Sequence, residues 1–124
     1  MFMTSIKYSY LIDFNHTDLF GNQNTGKKMT VYIVSRLTIH DRSKYDEYES
    51  GFAEIFEKYD GKMLSVDEEP TVLAGKWEAT RSVIIEFPSK KSALTWLMSD
   101  EYQGISKARD AGSTASSILV KGLE

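Results

Sequence analysis

At 124 residues, 41% hydrophobic and 27% charged, the chain has the length and composition of one globular domain, since a second core would need roughly another 100 residues. A formal net charge of -3, with Lys and Arg scattered rather than clustered, leaves no basic patch, so neither nucleic acid nor a membrane surface is an expected partner. Without cysteine there can be no disulfide, thiolate metal site or cysteine nucleophile, and no run approaches the roughly 18 apolar residues of a spanning helix; a cytoplasmic protein is expected.

Residues 1–28 read as an N-terminal extension and residues 29–124 as the domain proper. The stretch 15–28 (NHTDLFGNQNTGKK) has the polar, turn-rich composition of a linker. Upstream of it, Ile6, Tyr8 and Tyr10 alternate, so residues 6–14 either form one extra strand or belong to a tail ahead of Met29. From residue 30 to 39 the β-branched run TVYIVSRLTI predicts a first strand, with Val31, Ile33 and Leu37 on one face and Tyr32, Val34, Arg36 and Thr38 on the other. Asp41 or Ser43 can cap the helix that follows, in which Tyr45, Tyr48, Phe52, Ile55, Phe56 and Tyr59 recur at core spacing. Asp60-Gly61 ends that helix, with Gly61 suited to a left-handed C-terminal position.

Residues 62–66 predict a second strand, with an acidic turn at 67–69 and a short extension at 71–76. Residues 81–87 (RSVIIEF) predict a third strand. Pro88 stops it for want of an N–H, and Ser89 caps a helix carrying Ala93, Leu94, Trp96 and Leu97. A further helical piece runs from about Asp100 to Asp110 and ends at Gly112, and residues 115–121 form the fourth strand. The order βαββαβ, with right-handed crossovers, folds as an α+β ferredoxin-like sandwich: a four-stranded antiparallel sheet with the helices on one face. On the other face Tyr32, Val34, Ile84 and Leu64 alternate with Arg36 and Glu86, a mixed surface that suits a partner or a ligand. Two such sheets facing each other would bury it and leave a cavity.

Several pieces together resemble the domain-of-unknown-function family 1330 of the dimeric α+β barrel superfamily, over about residues 30–122. They are Asp41 with Tyr45 and Tyr48, Gly61-Lys62, the Trp77 to Arg81 turn, IIEFPS at 84–89, Ala93 and Trp96, SDEYQ at 99–103, and Arg109. Ser99-Asp100 departs from the Ser-Pro of similar sequences, though Asp also begins a helix. The resemblance implies a homodimer whose two sheets form a barrel. It implies no particular reaction, because related proteins include cofactor-independent monooxygenases, muconolactone isomerase-like enzymes, chlorite dismutase-like haem proteins and effector-binding domains.

The candidate site residues carry paired readings. Arg36 and Glu86 sit on neighbouring strands: either Arg36 and Tyr32 receive a ligand while Glu86 serves as a base, or the two charges form a structural ion pair at a dimer interface. Tyr102 and Arg109, two helical turns apart, either bind a ligand oxygen together or pack and bond locally. His40, just after the first strand, is either an acid–base group or a solvated loop residue, and Trp77 and Arg81 suit a cation-π contact. No metal and no cofactor is expected from two distant histidines and no phosphate loop. The expectation is a homodimer binding a small organic molecule between sheet and helices. Either the cavity supports cofactor-independent proton transfer or oxygenation, or the protein is a non-catalytic binder or purely structural dimer.

Overall fold

The computed structural model describes residues 29–123, so the strand read at 6–14 lies outside the described residues. Seven elements follow one another: β1 (Val31–Ile39), α1 (Arg42–Phe56), β2 (Lys62–Asp67), β3 (Arg81–Phe87), α2 (Lys90–Leu97), α3 (Asp100–Gly112) and β4 (Ser113–Lys121). The strands form one antiparallel sheet in the order β2-β3-β1-β4, the ferredoxin-like arrangement expected of βαββαβ. Among the described residues no helix is long and apolar enough to cross a membrane.

The period of two decides which strand residues meet the helices. Val31, Ile33 and Leu37 of β1 and Val83, Ile85 and Phe87 of β3 are buried on the helix side. Their odd-numbered alternation is the one read from the sequence, and each fully buried large side chain contributes about 1.5–3 kcal/mol. Phe87 stacks on Trp96 at 5.6 Å, and Phe56 meets both rings edge-on at 6.0 and 5.4 Å. These aromatic contacts fix α1 and α2 over one end of the sheet.

The helix starts follow from local hydrogen bonding. Asp41 accepts from the Lys44 N–H, Ser89 from that of Ser92 and Ser99 from that of Tyr102, each satisfying a first-turn donor. Ser43 is not the cap; its hydroxyl donates to Asp41. Three local expectations need correction. α1 ends at Phe56, and Gly61 is not left-handed, since Gly75 is the described glycine with positive φ. What requires glycine at 61 is space: a Cβ there would lie 2.5 Å from the Phe56 ring and 2.7 Å from that of Phe87. Residues 71–76 add no strand but belong to an irregular connection, tied to the sheet where the Thr80 N–H donates to the Leu37 carbonyl at 2.8 Å.

Candidate functional site

A cavity of about 580 Å³ lies between the sheet and the helices, within the size range of small-molecule sites. Ile33, Val83 and Ile85 from the sheet, Phe52 from α1 and Trp96 and Leu97 from α2 make its apolar wall, and Met63 lines it from β2. Tyr45, Tyr48, Tyr102, Arg109, Arg81 and Glu49 supply polar groups, joined by the serine pair Ser35 and Ser117, whose hydroxyls bond at 2.7 Å.

The polar groups come together because α1 packs on α3. Tyr48 and Tyr102 meet hydroxyl to hydroxyl at 2.9 Å, and Arg109 Nη1 donates to the Tyr102 hydroxyl at 3.0 Å. The other edge of the guanidinium is held by its sequence neighbour: Arg109 Nε and Nη2 both donate to Asp110 Oδ1, at 3.2 and 3.0 Å. With side chains 9% and 11% exposed, Arg109 and Asp110 form a nearly buried ion pair. Burial acts to lower the Arg109 pKa, but Tyr102, Tyr48 and Asp110 outweigh it and leave the value raised, so Arg109 is a permanent cation. Burial pushes Tyr45 up to about 12 against the opposing pull of Arg81, and burial followed by the proximity of Tyr102 raises Tyr48 well above the usual phenol range. Both therefore stay protonated near neutral pH, each with a hydroxyl hydrogen to donate.

A second network crosses the mouth. Arg81 lies over the Tyr45 ring, 5.3 Å from its centroid, and donates through Nη2 to Glu49 of α1 and through Nη1 to Glu68 at 2.6 Å. Glu68 also accepts from Arg42 at 3.2 Å, and hydrogen bonds from Arg42 and then Arg81 hold its carboxyl below the usual carboxylate range. The start of α1, the end of β2 and the start of β3 are thereby tied together beside the cavity.

The residues expected from the sequence fall into two groups. Tyr102 and Arg109 are joined by a hydrogen bond and line the cavity. Tyr32, Arg36 and Glu86 lie on the opposite, helix-free face, where Glu86 is paired with Tyr32 and Arg36 with Ser82. Four residues of register, about 13 Å along the strand, separate Arg36 from Glu86, so they form no pair within the chain. Arg36 instead lies 5.9 Å from the centre of the Trp77 ring, taking the place expected for Arg81. His40 is exposed between β1 and α1, where its N–H donates to the Gly112 carbonyl at 2.9 Å. Among the described residues no group of His, Cys, Asp and Glu side chains is placed to hold a metal ion.

The sequence reading missed Tyr45, Tyr48, Glu49, Arg81 and Trp96 as cavity residues. Helical spacing marked Tyr45 and Tyr48 as core, and they are buried. The overlooked signal was their chemistry, because a buried tyrosine hydroxyl requires a polar partner that phenylalanine does not.

The fold is that of a small ferredoxin-like α+β sandwich, with an apolar-walled cavity and a buried Tyr–Tyr–Arg chain under its helices. Residues 30–123 match the family described as domain of unknown function DUF1330, and the chain belongs to it. Comparison with curated proteins found no match. Among solved structures, the RPA0582 protein of unknown function from Rhodopseudomonas palustris is 17% identical with a TM-score of 0.68, over 79% of this chain and 85% of that one. SnoaB, a cofactor-independent oxygenase from Streptomyces nogalater, is 17% identical with a TM-score of 0.55, over 77% and 95%. A protein from Caulobacter crescentus described as an antibiotic biosynthesis monooxygenase is 13% identical with a TM-score of 0.55, over 78% and 92%. At these identities the likeness is one of fold.

Proposed function

We propose that the protein binds a small, largely apolar organic molecule in the cavity between sheet and helices, with an oxygen of that molecule accepting hydrogen bonds from Arg109 and the Tyr48–Tyr102 pair. The carrying observation is that this hydrogen-bonded chain, almost entirely buried, opens on a cavity of about 580 Å³ whose remaining wall is mostly apolar. Such an arrangement orients one polar atom and accommodates a hydrophobic body. The fold shared with a cofactor-independent oxygenase supports proton transfer or oxygenation without a cofactor as the chemistry of the same space. There, Arg109 and the tyrosines stabilise negative charge developing on the substrate oxygen. Glu49 is the carboxylate on the cavity wall, held by Arg81.

The test is a titration of the isotope-labelled protein with 2-acetylnaphthalene, followed by amide chemical shifts. Shifts should concentrate on cavity residues of β1, α1 and α3. Shifts confined to the helix-free sheet face would place binding elsewhere and sink the reading.

We further propose that the helix-free face joins two copies of the chain. Val34, Ile84 and Ile118 lie side by side across β3, β1 and β4, and Ile118 is 60% exposed and Val120 38%. An aliphatic patch of this kind on an otherwise mixed surface suits a sheet-to-sheet contact. Tyr32, Arg36 and Glu86 on that face take interface roles in this arrangement. Sedimentation should show a dimer at micromolar concentration, and Ile118→Glu should give a folded monomer because burying that carboxylate in the contact is costly. A monomeric parent protein, or a variant that still dimerises as tightly, contradicts the interface.

A further inference from the structure

The cavity's charge balance indicates what kind of oxygen it accepts, an inference that rests on the binding reading above. Three charged side chains line the space, Arg81, Arg109 and Glu49, and each is already engaged. Arg109 is held by Asp110, and Arg81 by Glu49 and Glu68, with Glu68 also bound to Arg42. Three guanidiniums thus stand against three carboxylates and the network sums to zero; Arg42 reaches one more carboxylate, Asp46, only on the open surface. A ligand carboxylate would leave this set one negative charge in excess. Excess charge is most unfavourable at the buried end of the site, beside Arg109 and Asp110.

The cavity also holds uncommitted donors, whereas the partnerless acceptors Asp110 Oδ2 and Gln103 Oε1 belong to residues outside its lining. Tyr48 and Tyr102 share one bond and Tyr102 also receives Arg109, so whichever tyrosine donates to the other, one hydroxyl hydrogen remains over. The same count leaves one hydrogen over in the Ser35–Ser117 pair. A ligand carbonyl supplies acceptor lone pairs for these spare hydroxyl hydrogens without adding charge.

We propose that the cavity selects an uncharged carbonyl compound with an apolar body, such as a ketone, ester or amide, over the carboxylate of the same body. Donors arranged around a neutral network recognise the carbonyl dipole, while the paired carboxylates Asp110, Glu49 and Glu68 disfavour an anion.

The experiment is a calorimetric or NMR titration of the full chain at neutral pH with three probes on one ring system: 2-acetylnaphthalene, 2-naphthoate and naphthalene. The ketone should bind at least about tenfold more tightly than the carboxylate, a difference of about 1.4 kcal/mol, and more tightly than the hydrocarbon. Glu49→Gln, at a half-exposed side chain where folding is little at risk, releases one guanidinium from its counter-charge and should move preference toward 2-naphthoate. Naphthoate binding as tightly as the ketone in the parent protein overturns the inference. So does naphthalene binding with no gain from the carbonyl, which leaves the cavity as a binding site. If none of the three binds, the cavity reading itself falls, and the carbonyl preference with it.

Discussion

Gly112→Ala is expected to lower the melting temperature sharply. A Cβ at this position would lie 2.6 Å from the Tyr45 backbone nitrogen and 2.7 Å from the Asp41 carbonyl oxygen, with the Lys44 side chain at 3.0 Å. The first two are backbone atoms at the start of α1 and cannot swing aside as a side chain could. Nor can Gly112 retreat freely, because its carbonyl accepts from the His40 and Asp41 N–H groups at 2.9 and 3.1 Å. Relief of the overlap therefore breaks the junction that ties the end of α3 to the start of α1. Overpacking combined with the loss of these backbone hydrogen bonds should cost about 3 kcal/mol or more. For a domain of this size that is a fall of about 12–24 °C, measurable by thermal denaturation. Gly104, in the same helix with nothing within 4 Å of its would-be Cβ, is the control. Gly104→Ala should leave stability unchanged or raise it by up to about 1 kcal/mol, since alanine favours helix over glycine. If the two variants melted within a few degrees of each other, the close approach at Gly112 would not be what holds the junction.

The contrast between these glycines shows what kind of information the sequence carries. Strand and helix positions were legible because they depend on near neighbours: the odd-numbered alternation of Val31, Ile33 and Leu37, the β-branched run before Pro88, and the short oxygen-bearing caps Asp41 and Ser89. Gly112 was legible as a helix ending and Gly61 was misread as one, and the reason for glycine at each is a ring or a backbone that packs against it. The site divides in the same way. Tyr102 and Arg109 could be paired from helical spacing because they occupy one face of α3. Arg81, Glu49 and Glu68 meet only after three segments converge, and Arg36 was matched to Glu86 without the register that sets them four residues apart. A period of two gives the face on which a residue sits but not its partner across the ladder. Nor does helical periodicity reveal whether α1 closes on the sheet or leaves a cavity beneath Tyr45, Tyr48 and Phe52; that depends on the volumes of side chains from several elements.

Arg109→Met should destabilise the protein by about 3–5 kcal/mol, the range for removing one partner of a buried ion pair. Methionine fills much of the same volume, so the loss would arise mainly from electrostatics rather than packing. Asp110 Oδ1 would lose both of its guanidinium donors, and Asp110 Oδ2 is already buried without a partner, so a nearly buried carboxylate would be left uncompensated. Tyr102 would lose its guanidinium donor but keep Tyr48, a smaller loss. The double variant Arg109→Met/Asp110→Leu removes the stranded charge and should recover most of the stability in urea unfolding, because replacing a whole buried pair by apolar residues is often neutral. Losing less than about 1 kcal/mol in the single variant would mean that Asp110 is solvated well enough to stand alone. A double variant no more stable than the single would shift the deficit to Tyr102 and the surrounding packing. If recovery of stability is accompanied by loss of ketone binding, the ion pair is needed for presenting donors to the ligand and not for holding the fold. A stable, cavity-containing protein that no longer binds would then separate the two roles of Arg109, since α1, α3 and the sheet remain packed by their aromatic contacts without it.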